Sequence, residues 1–242
     1  PHRIIEGMMI AGVACGATEG YIYVRAEYPL AIARLKNAIA QAEAYGLIGE
    51  NIMDSGFSLT IHIKEGAGAF VCGEETALIN SLEGKRGMPQ LKPPYPTTSG
   101  LAGKPTVINN VETLMNVPLI MQNGPEWFRG FGTEKSPGTK ILAITGRGRM
   151  SGVVEVEMGT TIRTVVEDIV DGIRDGKDFK AVQLGGASGT FIAESDIDTP
   201  IAFESMKEKG IVMGAGGFVV IDETSCMVDL VRYYMEFIRR ES

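Results

Sequence analysis

Cysteine, histidine and clustered basic charge are all scarce in this sequence, and each shortage removes a class of function. The cysteines are Cys15, Cys72 and Cys226, too far apart for any Cys-x-x-Cys. Neither a disulfide framework nor a closed metal site is readable from them, and a reducing, cytoplasmic setting fits. The histidines are His2 and His62, which leaves no basis for a His-built metal or triad site. His62 reads as a surface residue of a strand. Lys and Arg number 23 against 30 Asp and Glu, a net charge of −7. With no compensating basic block, a nucleic-acid partner held by phosphate neutralisation is excluded. No apolar run approaches the roughly 20 residues that span a bilayer, and Pro1-His2-Arg3 is not a signal peptide. Direct membrane insertion is not expected, and any association has to come through partners.

What is present is ordinary globular material with one unusual stretch. At 242 residues, 44% hydrophobic and 22% charged, the chain has interior enough for one or two folded units. Ile4, Ile5, Met8, Met9 and Val13 recur at helical spacing, and Tyr21-Ile22-Tyr23-Val24 reads as a short strand. Pro29 can open a second helix, with Ile32, Leu35, Ile39 and Ala42 on its apolar face and Gly46 as its stop. Leu59, Ile61 and Ile63 alternate with Ser58, Thr60 and His62, the pattern of a strand. It delivers the chain into Gly66-Ala67-Gly68, before a helix beginning near Gly73-Glu74-Glu75-Thr76 and running to Leu82. Gly84 to Gly103 is Gly/Pro-rich and predicts an ordered loop without regular structure. Asn109-Asn110 predicts the cap of a helix through about Met121, and Pro125-Glu126-Trp127 a short one.

Gly132 to Gly138 marks a composition shift and a domain boundary. After it come a hairpin, Ile141–Ile144 and Val153–Val156 around Gly146-Arg147-Gly148, a helix on Ile162, Val165, Val166, Ile169 and Val170, and a strand from Phe179 to Leu184. That β-β-α-β order is the one of a β-grasp. Beyond Pro200, Gly214–Gly217 leads into the strand Phe218–Ile221. Thr224 or Ser225 is expected to cap a last helix striped with Met227, Leu230, Val231, Tyr234, Phe237 and Ile238. The sequence opens with a helical pattern under way and closes at Glu241-Ser242 as a helix ends, so it reads as a piece of a longer polypeptide.

The segment from Gly66 to Thr113 holds more polar specialisation than a core needs. Its parts each have a structural explanation. Gly66-x-Gly68 with Gly73 is neither the Gly-x-Gly-x-x-Gly fingerprint nor a P-loop, and two glycines alone make a turn. Glu74 and Glu75 suit the positive end of a helix dipole. Lys92-Pro93-Pro94-Tyr95-Pro96 suits a stiff polyproline loop. Asn109 and Asn110 suit a helix cap, Phe70 a core position, and Cys72 a packed thiol.

Together, Gly-Ala-Gly-Ala-Phe-Val-Cys-Gly-Glu-Glu-Thr, Ser-Leu-Glu-Gly-Lys-Arg-Gly, Leu-Lys-Pro-Pro-Tyr-Pro and Val-Ile-Asn-Asn-Val-Glu-Thr resemble the flavoprotein subunit of NADH:quinone oxidoreductase (complex I). Its relatives in NAD-linked hydrogenases and formate dehydrogenases share these segments. The resemblance runs the full length of the chain. It implies an α/β fold in three parts: the C-terminal part of a Rossmann-like FMN/NADH domain (1–132), a soluble-ligand-binding β-grasp domain (133–200), and the lead-in to a helical [4Fe–4S] domain (201–242). In that family a Cys-Gly-x-Cys-x-Pro-Cys segment follows a Glu-Ser of this kind and ligates the cluster; it is not in this sequence. Nor are the first Gly-rich flavin loop and an Asn-x-Asp-Glu segment that the family carries upstream. The resemblance therefore implies a partial flavin site, and a chain that alone binds FMN weakly and is inactive.

By the same resemblance the activity is NADH dehydrogenase: a hydride passes from NADH to FMN, and electrons pass singly to iron–sulfur clusters. Gly66, Gly68, Phe70 and Gly73 are expected along the flavin, and Glu74 and Glu75 at NADH ribose or amide groups. Lys92 is expected on the pyrophosphate, Tyr95 on the adenine, and Asn109 and Asn110 on the ribityl chain or phosphate. Neither carboxylate is expected to accept a proton, because the hydride chemistry belongs to the cofactors. The implied partners are electron-transfer subunits, a thioredoxin-like [2Fe–2S] protein among them, in a cytoplasmic complex peripheral to the membrane. The competing expectation is a non-catalytic β-grasp scaffold with structural glycines.

Overall fold

The computed structural model describes residues 1–241. They form two compact units, Pro1–Gln122 with Glu241, and Asn123–Arg240. Ser242, the last residue of the expected lead-in, lies outside the described residues.

In the first unit, helices α1 (His2–Cys15) and α2 (Pro29–Ala44) share a core with a two-stranded parallel sheet, β1 (Glu19–Arg25) and β2 (Thr60–Gly66). The alternation in the sequence decides which strand face is buried. Ile22, Leu59 and Ile61 join Ile5, Leu35 and Ile39 inside, while Tyr21 and His62 meet outside with ring centroids 4.9 Å apart. His62 Nε2 also lies 2.6 Å from Glu19 Oε2, a pairing on the solvent side. Pro29 occupies the first turn of α2, where its missing N–H has no intrahelical partner to lose.

Beyond β2 come a 3-10 turn (Phe70–Gly73), helix α3 (Glu75–Leu82), a long loop and helix α4 (Val111–Asn123). Pro118 lies inside α4 and is buried. Having no N–H, it cannot donate to the carbonyl of Leu114 one turn back. That oxygen instead faces helix α1 at Gly7, where a Cβ would lie 2.1 Å from it. Only a glycine permits this approach.

In the second unit, helix α5 (Pro125–Arg129) precedes the hairpin β3 (Thr139–Gly146) and β4 (Gly152–Glu157). A short helix α6 (Ile162–Thr164) runs on into a π-helical turn (Val165–Ile169), followed by β5 (Phe179–Leu184) and β6 (Thr190–Ala193). Helix α7 (Phe203–Glu208), β7 (Gly217–Asp222) and helix α8 (Met227–Glu241) complete it. The sheet order is β4-β3-β7-β5-β6. Strand β7 runs parallel to β3 and antiparallel to β5, the arrangement of a β-grasp. Phe218, Leu142, Leu184, Ile162 and Val165 are completely buried at its centre.

Four expectations need correction. The compact units divide at Gln122/Asn123 rather than at 132. The reason is local: the N–H of Gly138 donates to Phe131 O at 2.8 Å, which seals the residues after α5 onto the start of β3. The β-grasp sheet does not end at 200, because β7 is its middle strand. The helix after Thr161 is not uniformly α; Val170 N–H donates to Val165 O, five residues back, and Val165, Val166 and Val170 are all buried. Thr224 and Ser225 do not cap α8. Their hydroxyls donate to Asp222 Oδ1, at 2.7 and 3.2 Å, so they close the end of β7 and hold that buried carboxyl below the usual aspartate range.

Candidate functional site

The candidate site starts where β2 ends. Gly66 is its last residue and is buried. A Cβ there would lie 2.6–2.8 Å from the phenol of Tyr23 on β1, so the strand end and the aromatic ring occupy adjoining space only because residue 66 has no side chain. The Tyr23 hydroxyl is hydrogen-bonded to Ser81 Oγ on α3 at 2.9 Å. Burial raises its pKa, and proximity to the Cys72 thiol adds to that, against a smaller lowering by Ser81. Cys72 is buried, a packed thiol. Tyr23 thus ties β1, the glycine loop and α3 together.

The loop then exposes backbone and ring. Gly68 takes φ 88° next to Glu27, which pairs with Arg25 at 2.6 Å. Gly73 faces open space. Phe70 is 44% exposed, which corrects the core alternative.

Glu74 is the N-cap of α3 rather than a first-turn residue. Its Oε2 accepts from the backbone N–H of Thr76 at 2.8 Å and of Ala77 at 3.0 Å, and from the Thr76 hydroxyl. Partial burial pushes this carboxyl up, but the donors of Thr76 and Ala77 outweigh it with help from Lys92, and the group sits below the usual glutamate range. Its other oxygen, Oε1, lies 3.4 Å from Lys92 Nζ. Glu75, in the first turn, forms a close ion pair with the same ammonium, and Glu75 then Glu74 raise the Lys92 pKa. The structure therefore brings Glu74, Glu75 and Lys92 to one point from segments 17 residues apart.

The loop reaches that point because α3 has a polar face of which the motifs include Thr76 but not Asn80. Thr76 Oγ1 accepts from Gln90 N–H at 2.8 Å, and Asn80 Oδ1 accepts from Gln90 Nε2 at 3.0 Å. Asn80 Nδ2 donates to Met88 O at 2.7 Å. Thr76 and Asn80 are buried polar residues four apart, so they share one helix face. That spacing was the available signal.

Tyr95 is 57% exposed, and its carbonyl accepts from Thr98 and Ser99, so the turn is built from backbone and the ring is left outside. Asn110 Oδ1 accepts from Glu112 N–H at 3.0 Å, the capping bond expected of it; Asn109 is exposed. Among the described residues no hydrogen bond or ion pair joins the side chains of Tyr95, Asn109 or Asn110 to the Glu74, Glu75 and Lys92 cluster.

These residues fit the chemistry of a flavin and a dinucleotide. Gly73 lets backbone meet a flat ring, and Phe70 and Tyr95 offer exposed aromatic faces. Lys92 is a cation suited to pyrophosphate, and the Asn109 and Asn110 amides at the start of α4 suit a polar tail ending in an anion. Among the described residues no group of His, Cys, Asp and Glu is placed to hold a metal ion, and no helix is long and apolar enough to cross a membrane.

Replacing Glu74 by alanine is expected to cost about 1 kcal/mol, the usual value of an N-cap, in urea unfolding at pH 7. The folded-state pKa lies below the unfolded one, so this contribution is fully present above about pH 4.3 and disappears as pH falls through the folded value. The variant should lose correspondingly less stability than the native chain when both are taken to acid.

Residues 1–119 match the family model of the Nuo51 FMN-binding domain. The NADP-reducing hydrogenase subunit HndC of Solidesulfovibrio fructosivorans is 54% identical over all 242 residues, which span 49% of that protein. The F subunit of NADH-quinone oxidoreductase in Escherichia coli (strain K12) is 48% identical over the whole chain and 54% of its own length. The crystal structure of NAD+-reducing [NiFe]-hydrogenase in the H2-reduced state superposes with a TM-score of 0.85 at 36% identity, covering all of this chain and 40% of that one. Residues 1–119 thus match the Nuo51 FMN-binding domain and the whole chain is similar to these hydrogenase and NADH-quinone oxidoreductase subunits, spanning about half the length of the curated relatives it matches.

Proposed function

We propose that this chain supplies the NADH side and part of the FMN side of an NADH-oxidising flavoprotein subunit. The observation that carries the reading is the meeting of Glu74, Glu75 and Lys92 at the N-terminus of α3, next to a glycine loop in which Gly73 faces open space and the Phe70 side chain is exposed. In this reading Gly66, Gly68, Gly73 and Phe70 border the flavin ring, and Asn109 and Asn110 hold its ribityl chain and phosphate. Lys92 receives the pyrophosphate of NADH, Tyr95 stacks on its adenine, and Glu74 and Glu75 accept hydrogen bonds from its ribose or amide groups. FMN, when bound, supplies hydride acceptance and the release of electrons one at a time. The protein's share is to bind and orient both cofactors and to keep water from the gap between them.

The first unit then corresponds to the C-terminal part of an FMN/NADH domain, and the second to a β-grasp domain with the lead-in to a [4Fe–4S] domain. The named relatives are subunits of larger enzymes, which supports electron-transfer partners for this chain. We assign among them a thioredoxin-like [2Fe–2S] subunit and a cytoplasmic location on a peripheral arm.

NADH titrated with ferricyanide as acceptor tests the reading, using the 242-residue chain and a longer polypeptide bearing flanking segments like those of the full-length relatives. Turnover by the longer polypeptide, with visible flavin absorbance, is the expected result. Lys92→Met in it should raise the KM for NADH about tenfold or more, the loss of a charge-assisted contact. Absence of turnover from both polypeptides overturns the reading and leaves the β-grasp scaffold.

A further inference from the structure

Between Gln90 and Tyr95 the loop hangs on one side chain. Gln90 is bonded to Thr76 and Asn80, and at Tyr95 the backbone turn begins. Of the residues between, Leu91 is 93% exposed. Among the described residues only Lys92 reaches back to the body of the unit, through Glu75 and Glu74. The two carboxylates are not equivalent. Glu74 is seated by three donors on its Oε2 and stays with the helix whatever Lys92 does. Glu75 has no side-chain partner other than Lys92 among the described residues, and both of these side chains are a third or so exposed, at 39% and 31%.

We propose that Glu75 is a latch: without ligand it holds Lys92, and a dinucleotide binds by taking the ammonium away from it. This rests on the reading that Lys92 receives the pyrophosphate. The exchange replaces one anion by another at the same cation. It also loosens residues 91–94 from α3, and the freed Glu75 carboxylate becomes available to the ribose or amide groups of the same ligand. Affinity for the anionic ligand is therefore set partly by the strength of the internal pair. An exposed pair of this kind is a weak brake, as a site that must load and unload requires.

The test is calorimetric titration of the 242-residue chain with inorganic pyrophosphate at fixed ionic strength. Glu75→Asp keeps the charge but shortens the reach to Lys92, so it separates the latch from a general gain in positive potential. It is expected to bind pyrophosphate about three- to fivefold tighter than the native chain, the factor that corresponds to an exposed ion pair. Glu75→Gln should shift in the same direction, and Lys92→Met should abolish binding. Circular dichroism shows whether each variant is folded; the Glu74 cap remains in all of them. If Glu75→Asp binds no tighter than the native chain while Lys92→Met loses binding, the latch is wrong and the role of Lys92 stands. If no variant binds pyrophosphate, or Lys92→Met binds as well as the native chain, both fall.

Discussion

Phe218→Ala is expected to destabilise the second unit by about 3–5 kcal/mol, the range for removing a fully buried phenylalanine. Phe218 is completely buried and stands on the middle strand β7, opposite Ile144 on β3 and Leu184 on β5. Its loss leaves a void bordered by strands on both sides, which cannot close in without breaking their ladders. The measurement is urea unfolding followed by far-UV circular dichroism, with Phe218→Leu as the milder comparison at about 1–1.5 kcal/mol. A cost below about 1 kcal/mol for the alanine variant, well under the cavity range, would contradict the central placement of β7, and with it the β-grasp order.

Gly66→Ala should have the second largest effect, about 1–3 kcal/mol, because the new methyl overpacks the site. It would sit 2.6 Å from the Tyr23 hydroxyl and 2.7 Å from the ring carbon bearing it, and the ring cannot swing aside without giving up Ser81. A double-mutant cycle isolates the clash. Tyr23→Ala removes the obstacle, so the double variant should be more stable than the sum of the single changes by about 0.5–3 kcal/mol, the coupling of residues in contact. Strict additivity would mean that Gly66 is not held against Tyr23. The same substitution shifts the start of the loop carrying Gly68 and Phe70, which makes it a test of how firmly the candidate site is positioned.

Much of this is open to inspection along the chain. Alternation at Leu59, Ile61 and Ile63 specifies a strand with one buried face, and Asn110 behaves as the cap its position suggests. Both are local effects, set by neighbours a few residues away. Strand β7 is recognisable in the sequence, yet its membership of the sheet is not, because Phe218 pairs with Ile144 and Leu184, far away along the chain, and no local pattern encodes a partner. The π-helical turn escapes for a related reason. The spacing of Val165, Val166 and Val170 suits an α-helix, and only the packing of all three inward selects the wider turn. At the site, Glu74 and Glu75 read alike in the sequence, and the structure separates them: one is consumed by the backbone of α3, the other is left for Lys92.

Residue order is thus enough to set the local grammar of this chain: where helices open on proline or close on glycine, which strand face is apolar, and which side chains have the chemistry to meet a flavin and a dinucleotide. Folding in three dimensions chooses which of them meet. It lays Tyr23 against Gly66, draws the Gln90 loop onto α3 through Thr76 and Asn80, and drops Lys92 between two carboxylates. The difference is one of range. Backbone preference and capping act within one turn or one strand, whereas the position of a loop follows from burial and hydrogen bonds between segments that only the folded chain brings within reach.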